Sequence, residues 1–284
     1  MKKKRILIVL IVFVCLVLFG TGLLGYFENR KLVITEYSYA NEKIPEEFSG
    51  FKIAQVSDFH NPRSEEPTKK LIKAIKDSKP DIIVITGDLI DSRNTRIDIA
   101  LDFVSKITEV APVYFVTGNH EGRITEYQRL RNGLESIGVI ILEDECVQIE
   151  RGGKSINILG LNDPAFHLIP NVGGARLLKM HIRDANVDRS KFTVVLAHHP
   201  EYRDAYDSQK MELVLCGHAH GGQIRFPAAG GLYSPGQGLF PEFDAGMYKL
   251  DYSTMIVSRG IGNSAFPFRL NNPPELVIVT LENE

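Results

Sequence analysis

The chain has 284 residues, 44% of them hydrophobic, and its 33 lysines and arginines nearly balance 35 aspartates and glutamates for a formal charge of −2. The hydrophobic share suits a globular core, while the near-neutral charge argues against a nucleic-acid binder of the electrostatic kind. Three widely spaced cysteines, Cys15, Cys146 and Cys216, none in a CxxC pair, imply neither a disulfide framework nor a thiolate metal site. Cys216 closes the run Leu213-Val214-Leu215-Cys216 and reads as a buried small hydrophobe.

The first predicted element runs from Ile6 to Tyr26, without a charge, behind Lys2-Lys3-Lys4-Arg5. At about 1.5 Å rise per residue, such a helix crosses the roughly 30 Å hydrocarbon core of a bilayer. A cleaved signal peptide is the rival reading; the stretch exceeds a usual h-region, and no clear A-x-A site follows it. A lipoprotein is disfavoured because Val12-Phe13-Val14 offers no small residues before Cys15. The basic cluster precedes the span and only Arg30 and Lys31 follow closely, so the amino terminus is expected in the cytoplasm. The body of a single-pass protein of the cell membrane would then lie on the extracytoplasmic side. The expected organisation is an anchor over 1–26, a short linker and first strand over 27–50, and one domain over 51–284.

Within that domain, short β-branched runs over 52–56, 81–86 and 112–117 are separated by helical patterns over 68–77 and 97–108. This is the βαβαβ pattern of a mostly parallel sheet covered by helices. A helix over 124–137 follows, then strands over 139–142, 155–161, 191–197 and 212–216. Strands over 247–250, 254–257 and 276–281 resemble antiparallel closing strands. Residues 221–246 carry seven glycines and three prolines and read as a long turn-rich loop, either functional or a surface insertion.

Polar residues gather where these strands end. The blocks are Asp58-Phe59-His60, Gly87-Asp88-Leu89-Ile90-Asp91, Gly118-Asn119-His120-Glu121, His198-His199-Pro200 and Gly217-His218-Ala219-His220. In open α/β sheets a ligand site forms beyond the carboxyl ends of the strands. Asp58, Asp88 and Asn119 follow the first three strands, and His198 and His218 follow two later ones, so oxygen and imidazole ligands can meet at one edge. Gly87, Gly118 and Gly217 each precede a candidate ligand, where the lack of a Cβ allows a sharp turn and close approach. One such block is an ordinary solvated loop, and His199 beside His198 could be structural; five blocks in order point to a metal site.

The pattern D-x-H, G-D-x-x-D, G-N-H-[DE], H, G-H-x-H resembles that of the calcineurin-like metallophosphoesterase superfamily, with all five elements intact across about residues 51–225. Gly217-His218-Ala219-His220-Gly221-Gly222-Gln223-Ile224-Arg225 and Ser258-Arg259-Gly260 are similar to its bacterial membrane-anchored, YkuE-like branch. The resemblance implies an α/β fold, a four-layer αββα sandwich of two mixed sheets flanked by helices, here preceded by one transmembrane helix. It implies two divalent metal ions, Mn, Fe or Zn: one at Asp58, His60, Asp88 and His220, the other at Asp88, Asn119, His198 and His218, with Asp88 bridging. A shared carboxylate offsets the repulsion between two close dications.

The expected activity is hydrolysis of phosphodiester or phosphomonoester bonds by a metal-bridging hydroxide, with in-line attack and no protein nucleophile. His120 is the candidate proton donor to the leaving alkoxide, its tautomer fixed by Asp91 or Glu121; the other reading of Asp91 is a helix cap. Arg225 and Arg259 are candidates to grip a second part of the substrate, with a surface salt bridge as the commoner fate. Leu239-Phe240-Pro241 and Phe266-Pro267-Phe268 are either core packing or exposed apolar clusters beside the site. A catalytically silent metal-binding module and a nuclease of the same superfamily are the alternatives. The partners expected are a phosphoester and the membrane, and no nucleic acid.

Overall fold

Parallel strands buried on both faces are written as unbroken apolar runs, and Ile82-Ile83-Val84-Ile85-Thr86 is such a run, buried at every position. The structure, a computed structural model, describes residues 2–62, 64–166, 172–263 and 269–284, so Phe266-Pro267-Phe268 lies outside the described residues. In chain order the elements are α1 (Lys2–Glu28), β1 (Val33–Asn41), β2 (Phe51–Val56), α2 (Glu65–Ser78), β3 (Ile82–Thr86), α3 (Ile97–Thr108), β4 (Val113–Val116), α4 (Tyr127–Ser136), β5 (Ile140–Ile141), β6 (Glu145–Arg151) and β7 (Lys154–Gly160). They continue with α5 (Gly174–Asp184), β8 (Thr193–Leu196), α6 (Arg203–Ser208) and β9 (Leu213–Cys216). Two small hairpins follow, β10 (Arg225–Phe226) with β11 (Gly230–Gly231), and β12 (Tyr233–Ser234) with β13 (Gly238–Leu239). The last strands are β14 (Gly246–Lys249), β15 (Thr254–Val257) and β16 (Glu275–Asn283).

Two six-stranded mixed sheets result, ordered β1-β16-β2-β3-β4-β5 and β14-β15-β9-β8-β7-β6. Alternation along their strands divides the interior into three layers of contact. Ala54, Val56, Ile83 and Ile85 face α2, α3 and α4. Ile53, Val84 and Val116 meet Ile158, Val194 and Leu215 between the sheets. Leu159, Val195 and Cys216 face α5 and α6. The molecule is therefore helix, sheet, sheet, helix, and Cys216 is a core residue. In α2 the apolar positions Leu71, Ala74 and Ile75 repeat at three to four residues, so one stripe is buried and the lysines stay outside.

The closing strands correct one expectation. β16 is antiparallel to β2 but parallel to β1, and β15 runs parallel to β9. Gly246 pairs with Val257 at the carboxyl edge, so β14 descends from that edge and its hairpin returns β15 in the direction of β9. Among the described residues α1 is the helix long and apolar enough to cross a membrane; the most apolar window of its segment Lys4–Glu28 has mean hydropathy 3.1 and is unburied. Leu239 and Phe240 are exposed, as is Phe226, whose ring centroid lies 6.4 Å from that of Phe240.

Candidate metal centre

Four of the sequence-predicted ligands, Asp58, Asp88, His198 and His218, stand two residues beyond the ends of β2, β3, β8 and β9, and Asn119 stands three beyond β4. Because β2, β3 and β4 are parallel, as are β8 and β9, each sheet delivers its ligands to its own carboxyl edge. Bonds across the sheets align the two edges. His198 Nδ1 donates to Thr86 O (2.8 Å), and Gln55 Nε2 donates to Cys216 O (2.8 Å).

Strands that simply ran on would carry these side chains past one another. Instead Asp58, His60, Asp88, His218 and His220 all have positive φ, between 49° and 64°, a region costly for non-glycine residues and kept where a site demands it. Gly118 and Gly217 answer a different need. A methyl group on Gly118 would overlap the Asp88 carboxylate, and one on Gly217 would overlap the Ser57 hydroxyl and the Asp58 carboxylate.

The seven side chains converge in two groups. His60 Nε2 lies 3.2 Å from His220 Nε2, which is 3.2 Å from Asp58 Oδ1. His198 Nε2 lies 3.2 Å from His218 Nδ1. The Asn119 amide reaches the same place: with its nitrogen inward it donates to His218 Nδ1 at 2.9 Å, and with its oxygen inward it adds a lone pair there. Asp88 Oδ2 joins the groups, 3.6 Å from His60 Nε2 and 3.3 Å from His198 Nε2.

None of the seven is more than 6% exposed, and burying so many polar groups is costly unless they are paired or bind metal. The donor set of carboxylates, amide oxygen and imidazoles without thiolate fits divalent cations. Ring orientation suits this: His60 Nδ1 donates to Ile90 O (3.3 Å) and His198 Nδ1 to Thr86 O, which turns each Nε2 inward. Burial raises the Asp58 carboxyl, yet His220 and His198 outweigh it and hold the group below the usual carboxylate range. Burial presses His60 down to about 3 and lowers His218 as well. Burial lowers His198 too, but Asp88 and Asp58 outweigh it and hold that ring above the usual imidazole range, so a cation bound there would displace a proton.

Around this set stands a second layer. Glu121 does not reach His120; its carboxylate accepts from the backbone N–H groups of Asp88 (2.9 Å), Ile90 (3.1 Å) and Gly118 (2.7 Å), clipping two ligand loops together. His120 Nδ1 instead accepts from Ser92 N–H (2.9 Å), so the proton of the neutral ring sits on Nε2, 3.8 Å from Asp88 Oδ2. Asp91 Oδ1 lies 3.5 Å from His120 Nδ1. The Asp91 carboxylate also holds Arg93 through three bonds in a turn; α3 starts only at Ile97, so Asp91 is not its cap. Arg225 pairs with Asp244 (3.0 Å) and Arg259 with Glu275 (2.8 Å), so both predicted substrate arginines are engaged with carboxylates.

One part of this layer was left open by the sequence, and another was not expected. His199 lies between Asp163 and Glu201, each 2.8 Å from one ring nitrogen; burial opposes its charge, but the two carboxylates push it up to about 9. Asp163 follows β7 at the same sheet edge, the signal that marked the ligands. Arg269 is fully buried, donates to Arg259 O (2.7 Å) and Gly262 O, and comes within 3.4 Å of His220 Nδ1. Burial lowers its guanidinium to about 10. Nothing in the sequence near Arg269 announces that position.

Two mixed sheets sandwiched by helices, with a buried carboxylate and imidazole cluster across their carboxyl edges, define a metal-dependent phosphoesterase. The chain belongs to the calcineurin-like phosphoesterase family, whose model matches residues 51–222. It is 28% identical over 283 residues to the uncharacterized metallophosphoesterase YkuE of Bacillus subtilis (strain 168), with 93% of this chain and 90% of that protein covered. To the phosphodiesterase YaeI of Escherichia coli (strain K12) it is 28% identical over 268 residues, covering 92% and 93%. The fold is also that of TT1561 from Thermus thermophilus, with a TM-score of 0.53 at 16% identity, covering 75% of this chain and 91% of that one.

Proposed function

We propose that the centre is dinuclear, with Asp58, His60, Asp88 and His220 around one divalent ion and Asp88, Asn119, His198 and His218 around the other, and that it hydrolyses phosphodiester or phosphomonoester bonds at the outer face of the cell membrane. The observation that carries this is the position of Asp88 Oδ2, within 3.6 Å of a ligand nitrogen in one group and 3.3 Å of one in the other. Mn, Fe or Zn bound there would supply charge for the phosphoryl oxygens and an acidified water. His120 presents Nε2–H to the departing oxygen, the Ser92 N–H at Nδ1 stabilises the charge left on the ring, and Asp91 holds the turn that carries Ser92 through its bonds to Arg93. The outward placement of the domain rests on the basic cluster ahead of α1.

The test uses purified full-length protein, metal analysis, and hydrolysis of bis-p-nitrophenyl phosphate against p-nitrophenyl phosphate, with DNA as a control. Two metals per chain with turnover are expected, and Asp88→Asn should lose both, because it removes the one anion common to the two groups. An Asp88→Asn protein that keeps two metals and near-normal turnover would overturn the assignment. Two metals without turnover would favour a silent binding module.

A further inference from the structure

A cavity of about 720 Å³ opens beside the metal centre, within the size range of small-molecule sites. His60, Asp91 and Arg93 line it on the side of the centre, and Tyr26, Asn29 and Arg30 line it where α1 ends. The helix end is fixed there: Asn29 Oδ1 accepts from Arg269 N–H (3.1 Å), and Arg30 O accepts from Lys70 Nζ (3.4 Å). Arg269 is also the residue whose guanidinium reaches His220, so one residue, through its backbone N–H and its guanidinium, ties the foot of α1 to the ligand set.

Leu10, Phe13, Leu16, Phe19 and Leu24 of α1 are all exposed, as befits a helix meant for lipid. Tyr26 then falls at the level of the headgroups, where aromatic residues collect. The Arg30 guanidinium lies 3.9 Å from the centroid of that ring, and no carboxylate pairs with it among the described residues. Leu270, next to Arg269, accepts from Arg225 N–H (2.9 Å), so the hairpins bearing exposed Phe226, Leu239 and Phe240 hang from the same strip.

We infer that the foot of α1 is a wall of the substrate site, and that the site takes a phosphodiester carried by a membrane lipid, its phosphate at the metal centre, its acyl chains left in the bilayer, and Arg30 against the anionic phosphates of neighbouring lipids. This rests on the phosphoesterase reading above. The hydroxyl of a water joins phosphorus, one P–O bond to an alcohol breaks, and the remaining water proton goes to the departing alkoxide.

The experiment reconstitutes the full chain with Mn in vesicles of phosphatidylglycerol in phosphatidylcholine. It compares turnover of that lipid with turnover of bis-p-nitrophenyl phosphate and of the deacylated headgroup diester in solution. Vesicle lipid should be cleaved in clear preference to its deacylated form. Arg30→Glu should lower the ratio of vesicle to soluble-ester turnover by roughly tenfold or more, since it reverses a charge at an anionic surface. Arg30→Lys should restore most of it, and Phe240→Ser should lower the ratio independently of Arg30. Cleavage of bis-p-nitrophenyl phosphate with an unchanged ratio in the variants, or equal cleavage of the deacylated diester, would sink the lipid inference and leave the phosphoesterase reading standing. Failure on every ester with two metals bound would sink that reading instead.

Discussion

His120 stands apart from the ligand residues because its inward nitrogen carries a proton. A backbone N–H cannot be an acceptor, so the Ser92 N–H pointing at Nδ1 leaves the proton of the neutral ring on Nε2. Burial lowers the ring's own basicity against the pull of Asp88 and Asp91, which favours this neutral form. His120→Ala should therefore keep both metals and lower kcat by roughly 10²–10⁴-fold, the usual size of a general-acid contribution. Loss should be smallest with p-nitrophenolate, which departs with little need of a proton, and largest with an alkyl alcohol. Metal analysis beside a leaving-group series separates the outcomes: metal loss would make His120 a ligand, and a loss independent of the leaving group would make it a positioning residue.

At the level of elements, the site is a property of loops pressed against one another. A methyl group on Gly118 would overlap the Asp88 carboxylate and backbone nitrogen, so Gly118→Ala forces apart two loops that Glu121 holds together. Gly173, at the start of α5, has open space around it and no positive φ, and Gly173→Ala is the matched control. Metal titration and a thermal scan should show Gly118→Ala with weakened metal affinity and lowered Tm, and Gly173→Ala close to the parent. Equal behaviour would mean that the loops relax around a methyl group. Close approach at Gly118 was expected from its missing Cβ, but that the Asp88 loop is what packs there was not legible in the sequence. The proposed ligands stood out in the sequence because Ile82 to Thr86 and its parallel neighbours are apolar runs that stop abruptly before a carboxylate or imidazole. β6 was not, since it is a largely exposed edge strand with little apolar pattern. α5 buries Leu177, Leu178 and Ile182, a stripe the sequence reading passed over within its polar surroundings. Arg269 escaped for a deeper reason: it lies 49 residues from His220 in the chain, and only the folded sheet edge brings them together.

On the scale of the whole molecule, Asp58, His60, Asp88 and Asn119 come from the edge of one sheet and His198, His218 and His220 from the edge of the other. Side-chain bonds already cross between the sheets there, from Gln55, His198 and Thr117, but ions held by both sheets would fasten them far more strongly. A ligand that binds the folded chain alone stabilises it by mass action, about 2.7 kcal/mol at a free concentration 100 times its Kd. For a domain of this size that corresponds to a rise in Tm of roughly 5–10 °C. Mn added to metal-stripped protein should produce a rise of that order, a chelator should reverse it, and Asp88→Asn should abolish it. The fluorescence of residues on both sheets should follow one transition throughout, because fastened sheets cannot melt separately. Bound Mn with an unmoved Tm would show that the ligands hold metal equally well in the unfolded chain, and the centre would then play no part in joining the two sheets.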